Sequence, residues 1–103
     1  MIKCLILKPN KTPQVIEIEN TLEEIQKQVE GYIEILRPNN HLGVVLVVNE
    51  EGWIKNLPYN RYIQGELIVG NILIVGEEDG DFISLTDQQI KEYKRLYGSK
   101  SFV

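Results

Sequence analysis

The stretch GVVLVVNEEG, residues 43–52, decides the fold because it combines an unbroken apolar run with an abrupt chain reversal. The apolar side chains from Val44 to Val48 occupy both faces of a strand, which is the pattern of a strand buried on both sides. The polar residues and the glycine that follow, Asn49 to Gly52, are typical of a turn. The stretch therefore predicts a central strand of a sheet, followed by a reversal of the chain and a short return strand that starts at Trp53 and Ile54.

Two strands are predicted near the start of the chain, paired as a hairpin. Residues 2–8, IKCLILK, carry apolar side chains on both faces, whereas residues 14–19, QVIEIE, alternate apolar and acidic side chains. Such alternation indicates a strand with one face in water. Residues 9–13, PNKTP, have the composition of the turn between them.

Two helices are predicted from their start and stop signals. Thr21 and Glu24 have the spacing of a capping box. In this motif the threonine hydroxyl accepts a hydrogen bond from a backbone amide of the first helical turn, and the glutamate side chain accepts one from the backbone amide of the threonine. Gly31 is the expected C-terminal cap. Residues 86–97 repeat this pattern, with Thr86 and Gln89 as the capping box. The expected buried stripes are Leu22, Ile25 and Val29 in the first helix, and Ile90, Tyr93 and Leu96 or Tyr97 in the second.

The remaining segments complete the predicted order of elements. Residues 32–38 and 72–75 are predicted strands, residues 56–67 an irregular segment, and residues 77–86 (EEDGDFISLT) an acidic loop. The sequence therefore predicts an α+β fold, with a mostly antiparallel sheet of about five strands and two helices in the order β-β-α-β-β-loop-β-α. We expect one domain over residues 1–98, followed by a flexible C-terminal tail at residues 99–103.

The composition and charge narrow the class of partner. Apolar residues make up 43% of the chain and charged residues 25%, as in a globular protein. The net charge of −4 and the scattered basic residues argue against nucleic-acid binding. No apolar run approaches the roughly 20 residues of a membrane span. The single cysteine, Cys4, fits a reducing compartment, so we expect a cytoplasmic location.

Motifs for catalysis or for a cofactor are absent from the sequence. His41 and Cys4 are the only histidine and cysteine, too few for the usual zinc site. No glycine-rich phosphate loop occurs, and EEDGDF lacks the ligand spacing of a calcium loop. The sequence therefore predicts a non-enzymatic protein with no metal, no cofactor and no catalytic residues.

The most unusual segment is LPYNRY, residues 57–62, which has two interpretations. In the structural one, Pro58 and Asn60 form a turn, the tyrosine rings lie over the sheet, and Arg61 pairs with a carboxylate. In the functional one, amide, guanidinium and tyrosine groups bind a planar or anionic ligand, because arginine forks onto phosphate or carboxylate and aromatic rings stack on bases. The ligand-binding residues predicted by the functional interpretation are Tyr59, Asn60, Arg61, Tyr32 and Glu34.

Four short motifs resemble the family called domain of unknown function 3846. They are Gly31-Tyr32-Ile33-Glu34, Asn49-Glu50-Glu51-Gly52, Leu57-Pro58-x-Asn60-Arg61 and Ser84-Leu85-Thr86-Asp87. The resemblance covers the chain from Met1 to about Leu96. The family is common in Gram-positive bacteria, their phages and mobile elements, so the resemblance implies a small domain of the bacterial host cytosol, often phage-borne. It implies no catalytic residues.

These observations lead to two main functional hypotheses. The first is a non-enzymatic small-ligand-binding module of phage or mobile-element origin, which sequesters a host nucleotide-type immune signal as counter-defence and works as a homo-oligomer. It predicts that Arg61→Ala abolishes binding while the fold survives. The alternative is a protein-interaction module that inhibits a host protein through an acidic surface formed by Glu77, Glu78, Asp79 and Asp81.

Overall fold

The computed structural model describes residues 1–39 and 43–98. The predictions for His41 and for a flexible tail at residues 99–103 lie outside the described residues. Within those residues the chain forms eight strands and two helices, so the predicted α+β class is confirmed and the strand count exceeds five. The elements are β1 (Ile2–Leu7), β2 (Gln14–Ile18), α1 (Leu22–Val29), β3 (Ile33–Leu36), β4 (Val44–Asn49), β5 (Tyr59–Ile63), β6 (Glu66–Val69), β7 (Ile72–Glu78), β8 (Asp81–Ile83) and α2 (Asp87–Tyr97).

Six strands form the main sheet, which is antiparallel throughout. Its order is β2-β1-β7-β4-β3, and β8 pairs with the outer part of β7. One face packs against α1 through Ile25 and Val29. The other face packs against α2 and against a separate two-stranded sheet formed by β5 and β6. The fold therefore has three layers, with the main sheet in the middle.

The prediction of a central strand at Val44–Val48 is confirmed. Every residue of β4 is buried, and β4 pairs with β3 on one side and β7 on the other. Leu46, for example, lies between Leu36 of β3 and Ile74 of β7. Strand β7 is also central, because it joins the predicted β1–β2 hairpin to the β3–β4 pair.

Two segments that the sequence analysis treated as loops are hairpins. The irregular segment 56–67 contains β5 and the start of β6, joined by Gln64 (φ 51°) and Gly65 (φ 84°). The acidic loop contains the end of β7 and all of β8, joined by Asp79 (φ 52°) and Gly80 (φ 84°). Two consecutive residues with positive φ are the signature of a tight hairpin turn of type I′. Both loop predictions were therefore wrong for the same reason, an unrecognised x-Gly turn.

The helix boundaries follow the predicted caps with two differences. The box of α2 is complete, since Thr86 Oγ1 accepts from Gln89 N at 3.1 Å and Gln89 Oε1 accepts from Thr86 N at 2.8 Å. In α1, Thr21 Oγ1 accepts from Glu24 N at 3.2 Å, but Glu24 accepts from Gln28 instead of reaching back. The left-handed C-cap of α1 is Glu30, with φ 65°, rather than the predicted Gly31.

The predicted buried stripes are confirmed except for Leu22, and of the two alternatives left open in the second helix Tyr97 is the buried one. Leu22 is 58% exposed, while Ile25 and Val29 of the same helix are buried. In α2, Ile90, Tyr93 and Tyr97 pack on the core. The last turn of α2 thus presents Tyr97 inward and leaves Leu96 exposed. In the described part of the chain, neither helix is long and apolar enough to cross a membrane.

Burial of Cys4 leads to a testable pH dependence. The side chain is fully buried in β1, and this raises the pKa of its thiol to about 11. Because the unfolded thiol ionises first, its stabilising contribution is complete below about pH 8.5 and is lost as the pH rises toward 11. We expect the free energy of unfolding to fall by up to about 2–3 kcal/mol over this range.

Urea titrations at a series of alkaline pH values measure this loss of stability. The control variant Cys4→Val keeps an apolar side chain of similar size but has no thiol to ionise. In this variant the free energy of unfolding should still fall with pH, but only by the part that comes from Tyr93 and Tyr97, whose pKa values are also raised by burial. An identical slope in the parent protein and in Cys4→Val would contradict the assignment.

Candidate functional site

Asn60, one of the predicted ligand-binding residues, is fully buried in β5. Its Nδ2 donates to the carbonyl oxygens of Leu7, at 2.8 Å, and Gly70, at 2.7 Å. Its Oδ1 accepts from Nη1 of Arg61 at 2.6 Å. A β-bulge between Tyr59 and Arg61 accompanies this inward position. The side chain of Asn60 therefore links the end of β1 to the residue that follows β6.

Arg61 is only 4% exposed and also donates to the protein itself. Its Nε donates to Tyr97 O at 3.1 Å, Nη1 donates to Lys8 O at 3.3 Å, and Nη2 donates to Lys11 O. Burial lowers the pKa of the guanidinium, and the carbonyl at the C-terminal end of α2 is the negative end of the helix dipole. Arg61 therefore holds the turn between β1 and β2 against the end of α2.

We refer to these two residues as the Asn60–Arg61 clamp. The predicted turn at Asn60 and the predicted pairing of Arg61 with a carboxylate are wrong, because Asn60 lies within a strand and Arg61 donates to backbone carbonyls and to Asn60. Ligand binding by the clamp stays a prediction. The contacts do not favour it, since four of the five N–H groups that a guanidinium carries are already used.

The other three predicted site residues lie elsewhere on the surface. Tyr59 is 54% exposed, and its ring centroid is 5.8 Å from that of Trp53 with the planes tilted by 47°. Glu34 is exposed in β3. Tyr32 is 64% exposed just before β3, and its carbonyl accepts from Glu50 N at 2.9 Å. The predicted set is therefore divided between the inward Asn60 and Arg61 and three exposed residues, of which Tyr59 and Glu34 lie near Trp53.

Trp53 is presented by the turn that the sequence analysis placed after the central strand. Asn49 is buried, and its Nδ2 donates to the carbonyls of Val29 and Glu30 at the end of α1. Its Oδ1 accepts from Glu51 N at 2.7 Å, which fixes the start of the turn. The turn holds Trp53 59% exposed and its neighbour Ile54 82% exposed. The expected return strand at these two residues does not form.

A groove runs between the β3–β4 side of the main sheet and the β5–β6 hairpin. It consists of two adjoining cavities, of about 280 Å³ and 60 Å³, which share Leu36, Glu66 and Ile68. Trp53 forms one end, and Arg37 with Gln64 forms the other. We call this space the groove; its apolar lining is contributed by Leu36, Leu46, Val48, Ile63, Leu67, Ile68 and Val69.

A second cleft lies on the other side of Trp53. Its volume is about 290 Å³, and we call it the aromatic cleft; it is lined by Trp53, Asn56, Leu57, Pro58 and Tyr59. Trp53 is therefore shared between the aromatic cleft and the groove. The ring of Trp53 can therefore contact a molecule bound in either space.

The charged groups of the groove are unevenly distributed. At the Trp53 end, the charged lining residues are Glu34, Glu50 and Glu66. At the opposite end Arg37 donates to Glu77, with Nη2 and Oε2 only 2.6 Å apart. Within residues 1–39 and 43–98, no three histidine, cysteine, aspartate or glutamate side chains are placed to hold a metal ion. The groove thus combines an apolar floor, an acidic margin and one exposed tryptophan.

Trp53 is not among the site residues predicted from the sequence, although a signal for it was available. It is the single tryptophan of the chain and directly follows a polar turn rather than an apolar run. A tryptophan in such a place is often left exposed for binding, since aromatic side chains are enriched at interfaces. Glu50 and Glu66 gave no such signal, because only the fold brings them beside Glu34.

Comparison with known proteins gives one match. The chain matches no curated protein and no solved structure. The family model described as "Domain of unknown function (DUF3846)" matches residues 2–98, nearly the whole chain, as the four motifs indicated. This range includes the clamp, the groove and the aromatic cleft. The chain therefore belongs to the DUF3846 family.

Proposed function

We propose that this protein is a non-enzymatic protein-interaction module that binds an extended segment of a partner protein along the groove. The observation that carries the proposal is that the two cavities share three lining residues and that the exposed Trp53 lines the smaller one. Aromatic anchors beside an apolar groove are the usual centres of binding energy in protein interfaces. Two adjoining cavities can accept successive side chains of a bound peptide.

The position of β3 supports an extended ligand. It is an edge strand of the main sheet and, among the described residues, pairs only with β4. An edge strand offers backbone N–H and C=O groups to an added chain, while neighbouring cavities accept alternate side chains. Leu36 and Glu34, which line the groove, belong to this strand.

Sequestration of a host nucleotide signal by a phage-borne protein is the second candidate. The Trp53–Tyr59 pair favours it, because aromatic rings can stack on a base. The acidic margin of the groove disfavours an anionic ligand, as does the use of Arg61 within the fold. Mass spectrometry of small molecules released by heating protein from cells with active nucleotide-based immunity decides the matter. A stoichiometric nucleotide would replace the first proposal with this one.

Selection from a random dodecapeptide library displayed on yeast tests the first proposal. We expect the immobilised protein to recover peptides. When these peptides are synthesised and added, the largest NMR shifts should be those of the backbone amides of β3 and β6 and of the indole N–H of Trp53. Trp53→Ala should weaken binding by about tenfold or more. The control Tyr62→Ala removes an aromatic ring of similar exposure that does not line the groove, and should bind as the parent does.

Two results would contradict the proposal. One is a selection that recovers no peptide above the background of the support. The other is a peptide whose largest resonance shifts lie away from β3, β6 and Trp53, for example on α1.

A further inference from the structure

We propose that the partner segment is cationic and that one of its arginine or lysine side chains stacks on Trp53. The inference rests on the proposed function and specifies the chemistry of the bound segment. It places the basic side chain at the junction between the groove and the aromatic cleft, with carboxylates on one side and an aromatic face on the other. The groove and Trp53 form the binding site, and the carboxylates of Glu34, Glu50 and Glu66 favour a positively charged segment in it.

The charges at the Trp53 end of the groove point to a positive ligand. Glu34, Glu50 and Glu66 line this end together, and the lining there includes no lysine or arginine. All three carboxylates are exposed, and within the described residues none of them forms an ion pair. An anionic segment would be repelled here, whereas arginine and lysine side chains would find acceptors.

Two acidic side chains near the groove, those of Glu77 and Glu51, form ion pairs within the protein. Glu77 is engaged by Arg37, and Glu51 lies 3.5 Å from the Nζ of Lys55. These pairs leave the carboxylates of Glu34, Glu50 and Glu66 as the ones that a ligand in the groove can reach. Of the acidic surface expected at Glu77–Asp81, Glu77 is paired, and none of its residues lines the groove or the aromatic cleft.

Trp53 offers the face of its indole ring, on which a cation or a flat group can stack. An arginine or lysine over the face of an indole ring is attracted by its quadrupole, and tryptophan is the strongest of the aromatic side chains in this respect. Tyr59 stands 5.8 Å away, centroid to centroid, at a tilt of 47°. The two rings provide a partly enclosed aromatic surface next to the three carboxylates.

The test compares two variants with the same change in net charge. The groove variant carries Glu34→Gln, Glu50→Gln and Glu66→Gln, and the control carries Glu17→Gln, Glu19→Gln and Glu78→Gln at exposed positions elsewhere. The probes are the peptides recovered from the random library, titrated by Trp53 fluorescence. We expect the peptides to be enriched in arginine and lysine, and the groove variant to bind them about tenfold more weakly than the control does.

Salt and Trp53 provide the remaining readouts. Raising the ionic strength should weaken binding to the parent protein and have a smaller effect on the groove variant. Trp53→Ala should reduce the affinity by about tenfold, which is measured from the resonance shifts of the peptide because this variant has no tryptophan fluorescence. Replacing the basic residues of a recovered peptide by glutamine should reduce it by a similar factor.

The possible failures separate the two proposals. Peptides that bind in the groove without enrichment in basic residues, or that bind the groove variant as well as the control, would overturn this inference and leave the proposed function intact. Peptides that bind elsewhere, or a selection that recovers none, would overturn both.

Discussion

Replacement of Arg61 by alanine is expected to lower the free energy of unfolding by about 3–5 kcal/mol, because one buried and three part-buried acceptors would lose the same charged donor together. These acceptors are the carbonyl oxygens of Lys8, Lys11 and Tyr97 and the Oδ1 of Asn60. The side chain is 4% exposed, so water does not simply take its place. The turn between β1 and β2 and the end of α2 should lose protection from hydrogen exchange first.

Urea unfolding and amide hydrogen exchange measure this effect. The matched control is Arg95→Ala, which removes an exposed arginine paired with Glu92 and should leave the urea midpoint unchanged. Arg61→Lys keeps the charge but not the planar fork, so its midpoint should lie between those of Arg61→Ala and the parent. An Arg61→Ala protein as stable as the parent would contradict the clamp and restore the expectation that this residue serves a ligand.

Replacement of Asn60 by leucine is expected to lower the free energy of unfolding by about 2–4 kcal/mol. Leucine fills a similar volume but donates nothing to the carbonyls of Leu7 and Gly70, and it removes an acceptor from Arg61. Both backbone carbonyls would then lose the amide donor of Asn60, whose side chain is completely buried. The cost is a desolvation cost rather than a loss of packing.

The control for this prediction is Asn20→Leu. Asn20 is exposed and makes a single bond from its amide to Phe82 O at 3.0 Å, so its loss should cost about 1 kcal/mol or less. Thermal and urea unfolding of both variants provide the comparison. Because Asn60 and Arg61 share a hydrogen bond, the double variant should lose less than the sum of the two single losses. Equal stability of Asn60→Leu and Asn20→Leu would show that the buried bonds contribute nothing.

The sequence predicted those parts of the fold that depend on local patterns. The apolar run Val44–Val48 identified a central strand, and Thr86 with Gln89 identified the start of α2. The β5–β6 hairpin was missed because its turn, Gln64-Gly65, lacks the asparagine or aspartate that usually marks it. The Asp79-Gly80 turn does carry such a signal, but the surrounding acidic residues were interpreted as a loop.

The candidate site could be predicted only in part. Tyr59 and Glu34 lie at the aromatic cleft and the groove, whereas Arg61 is buried. The burial of Arg61 could not be deduced from the sequence, because its acceptors include backbone carbonyls as far as 53 residues away, at Lys8. Backbone carbonyls carry no side-chain signature, so a buried arginine and a ligand-binding arginine have the same sequence pattern.

We propose that Trp53 serves binding and that the Asn60–Arg61 clamp serves the fold. The most direct test is the affinity of one recovered peptide for Trp53→Ala and for Arg61→Lys, both measured well below their unfolding temperatures. The account predicts a loss of about tenfold or more for Trp53→Ala and an unchanged affinity for Arg61→Lys. Full affinity in Trp53→Ala together with a loss in Arg61→Lys would contradict it and would return the binding site to Arg61.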